Sequence, residues 1–214
     1  MNWNDLERHF SPARLGRYCA HRQGDQRRAA ADYMHNVQMA GAMVPMLNVL
    51  EIALRNAIHR RLESQYQRPD WWVSWANVQG FSYQCRQIND ASAKLARRGE
   101  QLTPDKIIAE LTFGFWSSLF NVQFQGTLWK SLRLVFAHCP KAQRQRGNIS
   151  GSLNQIRDLR NRVFHHEPLL WLTPDLLAHH TVGLEVVGWL DPQLAVWLGT
   201  HDQLPTNWQA WLTT

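Results

Sequence analysis

Apolar side chains recur at helical spacing through the first third of the chain. Between residues 47 and 62, five aliphatic residues stand three or four positions apart: Leu47, Leu50, Leu54, Ile58 and Leu62. This spacing places them on one face of an α-helix, so the pattern predicts a stripe that faces the core. Asp25 is a suitable N-cap for a helical region that runs to about Gln67. Because Pro45 lies inside that region, we expect either one kinked helix or two helices that meet there.

Four dipeptides mark further helix starts, since each joins a capping residue to a proline that fits the first helical position. They are Ser11-Pro12, Thr103-Pro104, Thr173-Pro174 and Asp191-Pro192. The remaining pattern predicts helices at about 82–98, 104–121, 126–137, 150–165 and 174–190, with two short helices at the C-terminus. Only short stretches, such as Val182 to Val187, alternate as a strand would, and Lys141 to Gly151 is expected to be an exposed loop. The sequence therefore predicts a single all-α domain over residues 1–214.

The composition indicates a globular chain that stays in the cytoplasm. Hydrophobic residues make up 44% and charged residues 19% of the 214 residues, which excludes a disordered protein. The N-terminus carries charges where a signal peptide needs an apolar stretch, and polar residues and a proline interrupt the apolar run from Val37 to Leu54. We therefore expect a buried helix there and no membrane span. The three cysteines are far apart, so neither a disulfide framework nor a zinc site is predicted.

Charge is concentrated in one part of the chain. Residues 130–162 contain eight Lys or Arg residues and one acidic residue, whereas residues 163–214 contain five acidic residues and no Lys or Arg. A concentrated positive block suits a polyanionic partner such as RNA, because each neutralised phosphate releases counterions. The alternative is a solvated helix face without a partner.

The segment from Asp158 to Pro168 carries the chemistry. On a helix, Asn161 and His165 are four residues apart and share a face. Arg160 stands five residues before His165, which is about 140° around an ideal helix. These two side chains therefore cannot meet on one straight helix, but they can border one cleft if the helix ends or if a second copy faces it. Pro168 disfavours helical geometry at the residue before it, which places His165 in the final turn.

An arginine, an asparagine and a histidine at one site suit metal-free cleavage of RNA. His165 can take the proton from a ribose 2′-hydroxyl, and a second histidine can protonate the departing 5′-oxygen. Arg160 can grip the phosphate at two points, and Asn161 can hold the imidazole or a phosphate oxygen. The residues expected to bind the RNA backbone are Arg144, Arg146, Arg157 and Arg162. The alternative is a polar helix end, where histidine is favoured by the helix dipole.

Arg160, Asn161 and His165 match the R-N-x-x-x-H form of the HEPN signature. Two upstream segments, Asn48–Asn56 (NVLEIALRN) and Leu111–Trp116 (LTFGFW), resemble the Abi-like branch of that superfamily, as does the HHEPL ending of the motif. Together these segments cover roughly residues 40–170 in the expected order. The chain is therefore identified by resemblance as Abi-like, with a core at about 25–170 and an acidic helical extension at about 171–214.

The resemblance implies a helical bundle that pairs as a symmetric homodimer, with two motif helices meeting at a shared cleft. It also implies a ribonuclease that acts as a toxin or in abortive infection and needs neither a metal nor a cofactor. An antitoxin or another regulatory protein is then an expected partner. Because some members only bind RNA or other proteins, a catalytically silent module is the alternative. A third hypothesis is a structural dimer, which a buried and fully paired His165 would support.

Other residues have two possible roles. Glu51 and Arg55 are spaced for an intrahelical ion pair, with Asn56 adjacent, whereas the resemblance implies that all three face the cleft and support the motif helix. His166 is a candidate second catalytic histidine or a surface or capping residue. Three aromatic residues have two possible roles, stacking on RNA bases or packing in the core, and we expect the second. These residues are Phe113, Phe115 and Trp116. We expect His179 and His180 to lie on the surface.

Overall fold

The long helix predicted after Asp25 is one continuous element. In the computed structural model, which describes residues 1–213, this helix (α3) runs over Gln26–Tyr66 and continues through Pro45. The Asp25 side chain caps it by accepting from the Arg28 amide at 3.0 Å. The predicted aliphatic stripe is 0–3% exposed. By length and composition α3 could cross a membrane, and in the folded chain its stripe packs inside the bundle.

The remaining helices pack around α3, and the predicted all-α class is confirmed for the described residues. The helices are α1 (Trp3–Phe10), α2 (Pro12–His21), α4 (Ser82–Arg97), α5 (Pro104–Glu110), α6 (Phe113–Ser118), α7 (Trp129–Leu132), α8 (Arg146–Phe164), α9 (Leu176–Leu190), α10 (Pro192–Gly199) and α11 (Leu204–Leu212). Short 3₁₀ segments lie at Trp71–Trp75, Val122–Phe124 and Arg133–Val135. Helices α2, α8, α9 and α11 all contact α3, which makes it the central element of the bundle.

Three of the four predicted caps are present. Ser11, Thr103 and Asp191 each accept a hydrogen bond from a backbone amide in the first turn of their helix. The cap predicted at Thr173 is wrong: the Thr173-Pro174 peptide bond is cis, and Asp175 caps α9 by accepting from the Ala178 amide at 2.8 Å. Two capping residues lie close together here, and the later one begins the helix.

Three predicted boundaries are also wrong. The helix expected at 104–121 is divided into α5 and α6, because Thr112 caps a new helix by accepting from the Phe115 amide at 3.4 Å. The region 126–137 forms only α7 and one 3₁₀ turn. The expected loop at 141–151 is shorter than predicted, since α8 begins at Arg146. Its two glycines are tolerated because Ile149 and the following apolar residues bury one face of α8.

Aromatic residues fill the core on one side of α3. Trp71 is fully buried, lies against Trp75 with ring centroids 4.7 Å apart, and donates its indole N–H to His59 Nδ1 at 3.0 Å. Phe113, Phe115 and Trp116 are 0–2% exposed, so the core interpretation of these three residues is confirmed and they are not available to stack RNA bases.

Helix α9 is enclosed on more than one side, which corrects the surface prediction for its two histidines. His180 is 4% exposed, and its Nε2 lies 3.4 Å from Asp202 Oδ1. His179 is half-buried, and its Nδ1 lies 2.9 Å from the Gln155 amide nitrogen on α8. Gly183 allows α9 to approach α3 closely, since a Cβ there would stand 2.4 Å from Met46 Sδ. Neighbours on α3, α8 and α10 therefore cover positions that look polar and exposed in the sequence.

Candidate active site

Helix α8 positions the motif by burying one side and leaving the other open. Ile149, Leu153, Ile156 and Val163 are 0–3% exposed and face the core. The opposite face therefore has to carry the polar motif residues, and Asn161 is exposed. The helix ends at Phe164, and His165 is its C-cap with φ −93° and ψ 7°.

Arg160 is held in place by two contacts. Its Nε donates to Glu51 Oε2 on α3 at 3.0 Å, and its guanidinium carbon lies 4.8 Å from the centroid of the Phe164 ring. Both charged side chains are partly exposed, at 30% for Arg160 and 22% for Glu51. The Glu51 carboxylate occupies Nε of Arg160. The two terminal nitrogens of the guanidinium have no hydrogen-bond partner within residues 1–213. These nitrogens are the pair that can bind two oxygens of a phosphate.

The residues predicted to support the motif are only partly brought to it. Glu51 pairs with Arg160, and the alternative intrahelical pair with Arg55 does not form. Arg55 instead donates its Nε to the side-chain oxygen of the adjacent Asn56 at 3.2 Å. Glu51 therefore joins α3 to the motif helix, whereas Arg55 and Asn56 contact each other one turn further along α3.

The two remaining motif residues are open to solvent. His165 and Asn161 are exposed, and neither side chain has a hydrogen-bond partner among residues 1–213. A buried and fully paired His165 would support the third hypothesis, a structural dimer, and in the single chain His165 is neither buried nor paired.

The backbone after α8 is fixed by residues from the first third of the chain. Asn36 on α3 is buried, donates its amide to the Glu167 carbonyl at 3.2 Å, and accepts from the Leu169 amide at 2.6 Å. Arg14 on α2 donates to the His166 carbonyl at 2.8 Å. His166 itself is exposed and has a left-handed backbone with φ 56°. These bonds hold the turn that presents both histidines.

A cavity of about 300 Å³ lies beside these histidines, and sequence reasoning did not find it. His165 and His166 form one wall, and Arg14, Arg17 and Tyr18 from α2 form another. Residues of α2 and the motif are about 150 positions apart in the chain, so no local pattern connects them. A pair of arginines three residues apart on a short helix was the only signal available.

The four arginines predicted to bind RNA have different surroundings. Arg144 lines a cavity of about 380 Å³ that is also bordered by Trp129, Arg133 and Lys141. Arg146, by contrast, donates to the Phe120 carbonyl and to Gln125 Oε1, both at 3.0 Å, and so contacts its own fold. The other two arginines have acidic neighbours: Arg157 contacts Asp158 at 3.2 Å, and Arg162 contacts Glu167 at 3.4 Å.

Within residues 1–213, no group of three or more His, Cys, Asp or Glu side chains is arranged to hold a metal ion. All three cysteines are unpaired. Comparison of the chain with protein-family models, with curated proteins and with solved structures gives no match.

Proposed function

We propose that this protein is a metal-independent endoribonuclease of the HEPN type, with Arg160, Asn161 and His165 as its catalytic residues. The observation that supports this proposal best is the contrast within the motif. Arg160 is oriented by Glu51 and Phe164, whereas His165 and Asn161 remain exposed and unpaired. A site prepared for a phosphate and a proton transfer needs this combination of one fixed cation and one free base.

The proposed reaction is an attack of a ribose 2′-oxygen on the adjacent phosphorus. His165 accepts the 2′-hydroxyl proton as the new P–O bond forms, and the bond from phosphorus to the 5′-oxygen breaks. A second histidine donates a proton to that 5′-oxygen. The products are a 2′,3′-cyclic phosphate and a 5′-hydroxyl, and every proton is accounted for. The terminal guanidinium nitrogens of Arg160 bind the phosphate as its negative charge increases, and Asn161 holds a phosphate oxygen or the imidazole.

The second histidine is proposed to come from a second copy of the chain. Near the motif, α3 and α8 expose apolar side chains: Val37 is 48%, Val44 38% and Phe164 47% exposed. These three residues border a shared cavity of about 300 Å³. An apolar face of this kind next to a polar motif suits a two-fold interface, because the same patch is buried twice. The catalytic cleft would then lie between the two α8 helices.

RNA would be bound by the basic cavity at the other end of α8. Arg133, Lys141 and Arg144 line it without an ion pair to any residue of the described chain, and Trp129 offers an aromatic edge for a base. Helix α8 has 19 residues and is therefore about 28 Å long, so this cavity and His165 lie at opposite ends of it. A strand held at both points would be several nucleotides long.

The cellular role follows from the same proposal. A cytoplasmic ribonuclease with an open site would stop growth if it acted on cellular RNA, which is the effect of a toxin or an abortive-infection effector. Such a protein needs an antitoxin or a trigger that controls it. The second candidate function is a silent RNA-binding module, and the basic cavity favours it as much as the enzyme.

Expression of the wild-type protein and His165→Ala, followed by sequencing of cellular RNA ends, tests the proposal. Expression of the wild-type protein is expected to produce new 5′-hydroxyl RNA ends, and the purified wild-type protein is expected to produce the same ends in EDTA. Expression of His165→Ala is expected to produce none. His138→Ala removes another exposed histidine and is the matched control. New 5′-phosphate ends would contradict the mechanism. RNA binding without any cleavage would favour the silent module.

A further inference from the structure

The cavity between α2 and the end of α8 has the character of a second phosphate site. Its lining includes Arg14 and Arg17, the two motif histidines and Tyr18. Its volume of about 300 Å³ is roughly ten times the volume of one water, which is enough for a phosphate and part of its ribose. The cavity shares His165 with the motif but not Arg160, which is turned toward α3 by Glu51.

Some charged side chains on the cavity wall have a partner, and others do not. Arg17 is exposed and has no hydrogen bond or ion pair to any residue from 1 to 213. Arg14 uses one terminal nitrogen on the His166 carbonyl and keeps its other donors free. Glu167 is the acidic residue on the wall, and its carboxylate contacts Arg162 at 3.4 Å. The cavity therefore offers unpaired positive charge, which an anion would neutralise.

We propose that this cavity binds the RNA phosphate next to the one that is cut, with Arg14 and Arg17 as its main contacts. The proposal rests on the proposed ribonuclease function and assigns the two phosphates to different arginines. Arg160 contacts the scissile phosphate from the side of α3, and Arg17 contacts its neighbour from the side of α2. His165 lines this cavity, so a strand bound there would bring the intervening ribose to the base. The substrate is then a flexible single strand that bends around His165.

The test uses a short RNA that contains the mapped cleavage site, with and without one uncharged methylphosphonate linkage at the neighbouring phosphate. Arg17→Ala is expected to lower kcat/KM about tenfold, mainly through KM, because one charge-assisted contact is lost. The uncharged linkage is expected to lower wild-type kcat/KM by a similar factor and to cause no further loss in Arg17→Ala.

Arg27→Ala is the matched control, because Arg27 is exposed at the start of α3 and lies outside the cavity. If wild type cleaves and Arg17→Ala matches it, the second phosphate site is wrong and the ribonuclease proposal stands. If wild type does not cleave, the ribonuclease proposal fails. The affinity for the same RNA, measured by fluorescence anisotropy, then tests separately whether the cavity binds RNA. Equal affinities of wild type and Arg17→Ala would show that it does not.

Discussion

The chain contains adjacent histidines twice, and the two pairs have opposite surroundings. His165 and His166 follow the last residue of α8 and are exposed. His179 and His180 lie inside α9, where one contacts Gln155 and the other contacts Asp202. The same dipeptide is therefore exposed in one region and packed in the other. Position at the end of a helix, and not residue type, distinguishes the exposed pair from the packed one.

The pKa directions follow the same contrast. Burial lowers the pKa of His180, and the nearby carboxylate of Asp202 only partly opposes this effect. Burial also lowers the pKa of His179, and Arg162 lowers it further. Arg162 belongs to the motif helix, so the two histidine regions are neighbours in the fold although their roles differ. Both histidines of α9 are expected to be neutral in the folded protein near pH 7.

The largest expected effect distinguishes the two pairs by activity. Purified His165→Ala and Arg160→Ala are each expected to cleave RNA at least about 10²-fold more slowly, because a base or a phosphate ligand is lost. His179→Ala is expected to keep its cleavage rate per folded molecule. Initial rates on a labelled oligonucleotide measure all three, and circular dichroism checks that each variant folds. Equal losses in His165→Ala and His179→Ala would end the distinction between the two regions.

A mixing experiment tests whether the exposed pair works across two subunits. Arg160→Ala and His165→Ala protein are unfolded together, refolded, and assayed against each protein alone. If a half-site combines Arg160 of one chain with His165 of the other, one half-site of the mixed dimer keeps both residues and part of the activity returns. If one centre needs all four residues, the mixture stays inactive.

The solution mass supplies the control for this experiment. Light scattering on wild type is expected to give twice the chain mass of 24.9 kDa. A fully active monomer would contradict both versions of the shared site. It would also remove the argument that Arg160 and His165 need a second copy because they point in different directions around α8.

A smaller effect is expected on stability from the buried pair. His180→Ala removes one of two partners of Asp202, whose side chain is 12% exposed, and leaves that carboxylate with the Leu204 amide at 3.0 Å. We expect the free energy of unfolding to fall by about 1–3 kcal/mol. Urea unfolding followed by circular dichroism measures this change. His165→Ala is the matched control from the exposed pair, since its backbone φ is −93°, and it is expected to change stability by less than about 0.5 kcal/mol.

The smallest effect is a dependence of stability on pH. In the unfolded chain, His179 and His180 bind protons as the pH falls below about 6.5. In the folded chain their pKa values are lower, so the unfolded state binds more protons in this range. Stability is therefore expected to decrease as the pH falls from 7 toward 5. The thermal midpoint of wild type measures this slope, and His180→Gln should flatten it; an unchanged slope would show that His180 is not the titrating group.

The sequence predicted those parts of the molecule that depend on local signals. Asp25, Ser11 and Asp191 act as caps at the predicted positions, and the aliphatic stripe of α3 is buried as expected. These features depend on residues within one or two turns of each other. The ion pair between Glu51 and Arg160 depended on how two helices pack, and only the resemblance indicated that Glu51 faces the motif.

The wrong predictions concern features that depend on contacts between distant parts of the chain. His180 was predicted to lie on the surface because it stands in an acidic region without the spacing of a metal site, but residues from distant parts of the chain enclose it. Arg146 was grouped with Arg144 by charge, although it donates to the Phe120 carbonyl. Arg17 was missed because it meets the motif only through tertiary contact. Local pattern identifies which residues carry chemistry, and long-range packing decides which of them are free to perform it.

The amide of Asn36 imitates a peptide group. It offers one donor and one acceptor to the backbone on either side of Pro168, a residue that has no N–H of its own. Aspartate lacks the donor, leucine lacks both groups, and serine is too short to reach two backbone atoms. A complete substitution scan should therefore find position 36 almost as intolerant as the proposed catalytic residues. The intolerance would come from a side chain that completes the main chain of a segment about 130 residues away.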